Sequence, residues 1–382
     1  MGLPFVVKAP LPRLRVLIAP DKFKGSLTSP EVAAAIARGL ASALPKAKIA
    51  ALPLADGGDG FVPIVTAALG GRLLKARNIP DALGRPRTVA YGWAARSRTA
   101  VLDVAGVCGI AALKADELDP LSASTRGLGL LARRMLKHGA KEILVGLGGS
   151  ATNDGGMGFA AGLGYRFFDR SGKALSPSGG ALVHIARIVP PSSLPACRFR
   201  AAVDVTNPLL GKLGATAVFG PQKGATARTL PLLEKGMKTL AAVAGAEAAV
   251  LPGAGAAGGL GYGLATFAGA KLENGFGLIA ALTGLEKEIA RADIVITGEG
   301  CLDPQTDGGK VPEGVRRLAA ARGKPVYAFV GRTKGKIRGG YAGVFALLDI
   351  AADTRQAIAE AERLLARLAA ERGHRLSAGL NG

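Results

Sequence analysis

Short apolar runs recur along the chain, each closed by a glycine- or aspartate-rich turn and followed by an alanine- and leucine-rich stretch. The runs are continuous rather than alternating, as in strands covered on both faces, and their alternation with helical segments predicts an α/β fold with mostly parallel sheets. Strands are predicted at 15–19 (RVLIA), 49–54, 141–146 (KEILVG), 199–203, 293–297 (DIVIT) and 324–330, with an antiparallel pair at 87–94 and 99–104 starting a mixed sheet. Ser29-Pro30-Glu31 opens a helix, with Ser29 as N-cap, a proline in the first turn and an early acid. The segment 353–372 is amphipathic and predicts a terminal helix. Parallel-type strands lie near both ends and mixed ones between them, so one domain is expected to be inserted in another. The expected division is 14–80 with 285–382, enclosing 81–284.

Composition narrows the function class. Hydrophobic residues at 49% and charged residues at 20% exclude wholesale disorder. The 56 glycines are not periodic; they cluster after apolar runs, where backbone turns tightly or approaches a ligand. The net charge of +21 suits either nucleic acid or small anionic substrates. The basic residues are scattered, aromatics are only 5%, and no finger or recognition-helix pattern accompanies them, so nucleic acid is not an expected partner. Cys108, Cys197 and Cys301 have no CxxC spacing, which argues against metal or disulfide roles and for a reducing cytoplasm. No apolar run of membrane length occurs, and the opening fifteen residues are broken by Lys8, Pro10, Pro12 and Arg13.

Candidate chemistry lies where strands end. Residues 146–158, GLGGSATNDGGMG, follow a strand and precede a helix. The glycines of this segment, Gly148 and Gly149 among them, let backbone N–H groups converge. Ser150, Thr152 and Asn153 add hydroxyl and amide groups, and the helix N-terminus adds positive potential, giving a candidate anion nest that also takes in Asp154. Lys22, Lys24 and Ser26 lie between the first strand and helix, at an edge where open α/β sheets bind ligands. Asp56 and Asp59, in ADGGDG, follow the second strand; such carboxylates hold Mg²⁺ or orient a hydroxyl nucleophile, and equally form turns. Asp204 ends another strand, and Glu299, Asp303, Gln305, Thr306 and Lys310 follow the DIVIT run. His138 and His184 read as surface or packing residues. A GxGxxG at Gly253, Gly255 and Gly258 follows helix-like sequence rather than a strand, a poor context for a nicotinamide cofactor. No GxxxxGK[ST] loop and no protein-kinase motif set occurs.

In order, the segments APDKFKGSLTSPEVAAAIARG (19–39), PLADGGDG (53–60), GLGGSATNDGGMGFAAGLG (146–164), DVTNPLLG with FGPQKGA (204–225), LPGAGAAGGLGYGL (251–264) and ITGEGCLDPQTDGGKVPEGV (296–315) resemble the bacterial glycerate kinase family of glyoxylate and glucarate catabolism. The resemblance implies two α/β domains, one Rossmann-like with a parallel sheet and the other inserted with a mixed sheet. It implies transfer of the ATP γ-phosphate to D-glycerate with Mg²⁺, 2-phosphoglycerate being favoured over 3-phosphoglycerate. The catalytic set it suggests is Lys24, Asp56, Asp59, Asp204 and Glu299, with Asp56 and Asp59 as Mg²⁺ ligands and the general base open among the four acids. Lys22, Ser26, Gly148, Gly149, Ser150, Thr152, Asn153, Asp154, Gly255, Gly258, Asp303 and Lys310 are the suggested phosphate- and substrate-binding positions. The partners implied are ATP and glycerate, with no membrane and with monomer or homodimer open.

The chain departs from the family at Asp59 and Asp103, where Glu is usual, at Phe61 in place of Thr, near Arg126 in place of Tyr, and at Cys301 in place of Arg. A shortened carboxylate and a lost bidentate cation can weaken or redirect activity. The alternative reading is therefore a divergent paralogue with another hydroxy-acid substrate or a regulatory nucleotide-binding role.

Overall fold

The computed structural model describes residues 13–303, 310–335, 337 and 339–378. Two compact units result: residues up to 53 with most of those from 285 onward, and residues 54–284. The change of unit falls after 53 rather than at 80. Strand Arg72–Pro80, which the apolar pattern did not predict, pairs antiparallel with Pro86–Ala94 and so belongs to the second unit's sheet. Its residues are mostly exposed, as an edge strand's are, and an exposed edge carries little apolar signal.

The first unit is a five-stranded parallel sheet in the order 343–346, 326–333, 294–302, 15–18, 48–51. The first strand is buried from Val16 to Ile18, with Arg15 tied to Asp293 at its mouth (Nη2 to Oδ1, 2.6 Å). Helix Ser29–Ala43 begins one residue earlier than expected. Its N-cap is Thr28, and Glu31 accepts from both the Thr28 N–H and hydroxyl at 2.7 Å. The Ser29 hydroxyl instead donates to the Pro20 carbonyl, tying the helix start to the strand end. This helix buries Val32, Ile36 and Leu40 against Leu364, Leu365 and Leu368. Those residues lie on helix Ala361–Ala378, which a break at Glu360 separates from the preceding Thr354–Ala359. The two helices approach so closely that a β-carbon on Gly39 would collide with the Ala366 carbonyl and stand 2.7 Å from the Ala369 side chain.

The second unit is a six-stranded mixed sheet in the order 271–274, 198–203, 142–146, 99–103, 86–94, 72–80. Its first four strands are parallel and the last two antiparallel. The expected antiparallel pair is therefore present, and it joins onto a parallel half. Ile143, Val145, Leu102 and Ala201 form the sheet's contribution to a core completed by Leu128, Leu131 and Phe159 from helices Arg126–Lys137 and Met157–Leu163. A second apolar cluster around Leu182, Met237, Leu240 and Tyr262 packs helices Leu230–Ala244 and Ala256–Ala268 over a small 166–168/187–189 hairpin. Among the described residues, no helix is long and apolar enough to cross a membrane.

The helix contact in the first unit leaves no room for a side chain. Gly39→Val should cost about 1–3 kcal/mol through overpacking, read as a lower urea midpoint with unchanged m-value. A wild-type midpoint would mean that the two helices can separate at no cost.

Candidate active site

The four parallel strands of the second unit end side by side, with Asp103, Gly146, Ala202 and Glu273 in one row of the register. Loops leaving this carboxyl edge carry Gly148, Gly149, Ser150, Thr152, Asn153, Asp154 and Asp204, and the segment 54–60 that opens the second unit packs against them. The Gly57 carbonyl accepts the Gly148 N–H at 3.2 Å, and a β-carbon on Gly148 would collide with Gly58, so the two glycine loops meet backbone to backbone. Asp56 shapes the first loop by accepting the Gly58 N–H at 3.2 Å. Asp204 sits directly beyond strand Arg198–Val203, and a β-carbon on Gly57 would stand 3.3 Å from its Oδ1. Asp59 stands near Gly149, whose β-carbon would be 3.9 Å from the Asp59 Oδ1. Asp56, Asp59, Asp204, Gly148 and Gly149 thus belong to one sheet edge.

Two positions where the resemblance implies another residue have structural roles here. Asp103 caps the short helix Val104–Cys108 by accepting the Gly106 N–H at 2.8 Å, a task that suits the shorter acid. Burial pushes the Asp103 carboxyl up to about 6; the Gly106 hydrogen bond opposes the rise and the charge of Asp59 adds to it. Phe61 is fully buried and its ring lies under Gly146, where a β-carbon would stand 2.8 Å from Cγ. It is a core residue in this chain.

The glycine-rich loop is built differently from expectation. Asp154 is fully buried and accepts the Thr125 N–H (2.8 Å), the Thr125 hydroxyl (2.9 Å), and the N–H groups of Gly156 and Gly158 (both 3.1 Å). The Thr125 hydroxyl oxygen accepts the Phe159 N–H at 2.8 Å. The positive end of helix Met157–Leu163 is therefore filled by this internal carboxylate, and the predicted anion nest cannot use it. What remains open lies upstream. The backbone N–H groups of Gly149, Ser150, Thr152 and Asn153 donate to no acceptor among the described residues. The Thr152 Oγ1 and Asn153 Oδ1 are buried without partners, while the Asn153 Nδ2 donates to Thr216 Oγ1 at 3.1 Å. Buried polar groups of this kind are uncommon, and these are available to a ligand.

Gly255 and Gly258 support this loop from behind. The Gly255 N–H donates to the Asn207 carbonyl at 2.9 Å, and the Gly258 carbonyl accepts the Gly155 N–H at 3.1 Å. Ala257, Gly258 and Gly259 all take left-handed backbone angles at a kink, which brings Gly258 against the Thr152 carbonyl with no space for a side chain. No strand precedes them, so the GxGxxG is not a dinucleotide fingerprint.

One residue that sequence reading passed over stands out. Lys223, in the quoted FGPQKGA segment, is 2% exposed, and its Nζ donates to the Ser150 hydroxyl oxygen at 2.7 Å and the Thr152 carbonyl at 2.6 Å. Burial pulls its pKa down to about 7. The only advance signal was a lysine bracketed by glycine and proline in a motif, which does not reveal burial.

The remaining predicted residues belong to the first unit or its border. Strand Ile294–Leu302 runs past the predicted end at 297, so Glu299 and Cys301 are strand residues rather than loop residues. Glu299 is buried, and Cys301 stands in register with Arg332 of the neighbouring strand, so a guanidinium-bearing residue remains one strand away from the altered position. Lys22 is half-buried with Nζ 3.9 Å from Asp21 Oδ1. Lys24 and Ser26 lie in a tight turn closed by paired Phe23 and Leu27 hydrogen bonds of 2.8 and 3.0 Å, with Gly25 at positive φ; the Ser26 hydroxyl donates to the Phe23 carbonyl. Asp303 and Lys310 flank a stretch containing Gln305 and Thr306, which lie outside the described residues. His138 packs edge-on against Trp93 with ring centroids 4.8 Å apart, in keeping with a packing role.

Comparison with known proteins gives a consistent result. A family model described as the glycerate kinase family matches residues 16–377. A Bacillus subtilis (strain 168) glycerate kinase is 42% identical over 325 residues, covering 83% of this chain and 85% of that protein. The Escherichia coli (strain K12) glycerate 2-kinase is 38% identical over 327 residues, with the same coverage of 83% and 85%. A crystal structure from Salmonella typhimurium LT2, provisionally assigned as glycerate kinase 2, has a TM-score of 0.84 and 37% identity, covering 97% of this chain and 100% of that one.

Asp154 is the acceptor on which the loop's own N–H groups converge. Asp154→Asn replaces one acceptor oxygen with a donor and should cost on the order of 1–3 kcal/mol for each N–H left unpaired. Denaturant unfolding reads this directly, and an unchanged midpoint would show that the loop holds its shape by other means.

Proposed function

The chain belongs to the glycerate kinase family, and on that premise we propose that it transfers the γ-phosphoryl group of ATP to D-glycerate, with the 2-hydroxyl as acceptor and Mg²⁺ as the metal. The observation that carries this reading is the sheet edge of the second unit. There, Asp56, Asp59 and Asp204 stand beside a glycine loop with unspent backbone donors. Phosphoryl transfer asks little covalent chemistry of a protein; it needs donors for phosphate oxygens, carboxylates for the metal and an acceptor for the hydroxyl proton.

The loop from Gly148 to Asn153 offers the donors. A cluster of three or more metal-binding side chains is absent among the described residues. Mg²⁺ is commonly held by one or two carboxylates together with substrate phosphates and water. Asp56 and Asp59 would hold it, and the bound ion would offset the negative charge on the transferring group. Asp204, placed at a strand end between the Gly57 and Gly275 backbones, is the proposed acceptor for the glycerate hydroxyl proton. Lys22 and Lys24 are proposed as anion contacts of the first unit. The excess of positive charge favours encounter with ATP and glycerate, both anions. A cytoplasmic location would supply ATP.

A coupled assay with ATP, Mg²⁺ and D-glycerate, with the products resolved by chromatography, tests the reading. Accumulation of 2-phosphoglycerate is expected, and failure to phosphorylate glycerate, tartronate or related hydroxy acids would reject it. Asp204→Asn should lower kcat by about 10²–10⁴-fold, the usual scale for a general base, at unchanged unfolding midpoint. A full-rate Asp204→Asn enzyme would move the role to another acid.

A further inference from the structure

Lys223 lies in the turn Pro221–Lys223, beneath the glycine-rich loop of the second unit. Its backbone is set by hydrogen bonds from the N–H groups of Lys223 and Ala225 to the Gly220 carbonyl, at 3.0 and 3.1 Å. Gly224 follows at positive φ against the Leu118 carbonyl, leaving no space for a side chain there. The side chain is thus aimed inward by a rigid turn. No carboxylate lies within ion-pair distance of it among the described residues. The titratable groups that face it are the buried Cys108 thiol, whose pKa burial raises far above its usual range, and Asp154, whose oxygens are committed to Thr125, Gly156 and Gly158. A buried cation without a counter-charge is costly, and its two hydrogen bonds both go to the loop.

The direction of those bonds has a consequence. An ammonium group only donates, so Ser150 Oγ must accept from Lys223 and its own proton is left for another acceptor. The Thr152 carbonyl is drawn toward Lys223, and a planar trans peptide then places the Asn153 N–H on the opposite side. By the same rule, the Gly149 carbonyl accepts the Ile110 N–H, so the Ser150 N–H points away from Ile110. The Ser150 and Asn153 N–H groups donate to no acceptor among the described residues.

We propose that Lys223 is a positioning residue for phosphoryl transfer, which turns the Ser150 hydroxyl and the Asn153 N–H outward as donors to a phosphate group held by the loop. The proposal rests on the reading of that loop as the phosphate cradle. Loss of the Lys223 proton creates a lone pair that can accept the Ser150 hydroxyl, so the lysine then competes with the ligand for that donor. Because burial brings the lysine to about 7, both charge states are populated at neutral pH. The competent form is the protonated one, present below about 7 and lost as pH rises through that value.

The test uses the full-length chain and the variants Lys223→Met, Lys223→Arg, Ser150→Ala and Lys223→Met with Ser150→Ala. Unfolding midpoint, calorimetric binding of inorganic phosphate and of Mg-ATP, and kcat and KM for glycerate are measured from pH 6 to 9. Wild type should lose phosphate affinity and kcat/KM as pH rises through about 7. Lys223→Met should be weakened roughly 10–100-fold at pH 6, the scale of removing a group that orients a ligand-binding side chain, with a flat profile above it. Lys223→Arg keeps its charge and should retain activity without the alkaline loss. The double variant should be no worse than Lys223→Met alone, because Ser150→Ala removes a hydroxyl that Lys223 already orients; this arm decides the matter if the Arg variant does not fold. The proposal is overturned if Lys223→Met shifts only the unfolding midpoint, if its effect adds fully to that of Ser150→Ala, or if wild type binds neither phosphate nor Mg-ATP. Phosphate binding that depends on Lys223 in a protein inactive on glycerate would sink the kinase reading and leave the cradle standing. Equal phosphate binding by wild type and Lys223→Met in an active kinase would do the reverse.

Discussion

A buried carboxylate organises the second unit. Asp154 takes hydrogen bonds from Thr125 at the start of one helix and from Gly156 and Gly158 at the start of another, so it stitches two chain segments that are far apart in sequence. Burial raises its pKa, and the surrounding N–H donors oppose that rise. In the glycine-rich turns that bind phosphate in other α/β proteins, the helix end itself is the anion site. Here the protein supplies its own anion to that end, and the turn upstream is left with the donors. The chemistry is displaced by a few residues from where the motif alone would put it.

The sheet explains why the acids collect where they do. Parallel strands in register end together, so Asp103, Gly146 and the residues after Ala202 are brought to one edge regardless of their separation in sequence. Glycine then determines how near the loops come. At Gly57, Gly58 and Gly148 the backbones touch, and a side chain at Gly148 would force the aspartates of the first loop away from the second. The density of glycine after strands is thus a packing requirement of this edge, and the same requirement recurs where Gly258 backs the Thr152 carbonyl.

The departures from the family pattern sort by location. Phe61 fills core space under the sheet, and Asp103 is short because it caps a helix through Gly106. Neither residue's change removes a donor from the glycine-rich loop. At Cys301, where the resemblance implies an arginine, the strand neighbour in register is Arg332.

Much of this was legible in the chain itself. Apolar runs closed by glycine and aspartate specify strand ends, because local periodicity and turn chemistry act over a few residues, and so the α/β class and the acidic and glycine-rich loops could be read directly. The exposed edge strand Arg72–Pro80 was invisible because it has no apolar face to signal it. The roles of Asp154 and Lys223 were equally hidden. In sequence an aspartate beside glycines reads as a ligand contact or a turn former, and a lysine reads as solvated. Only the tertiary structure, by bringing Thr125 and Ser150 to partners 29 and 73 residues away, decided that both charges are buried and that their hydrogen bonds shape the loop. Burial depends on which distant segments meet, and no local pattern records that.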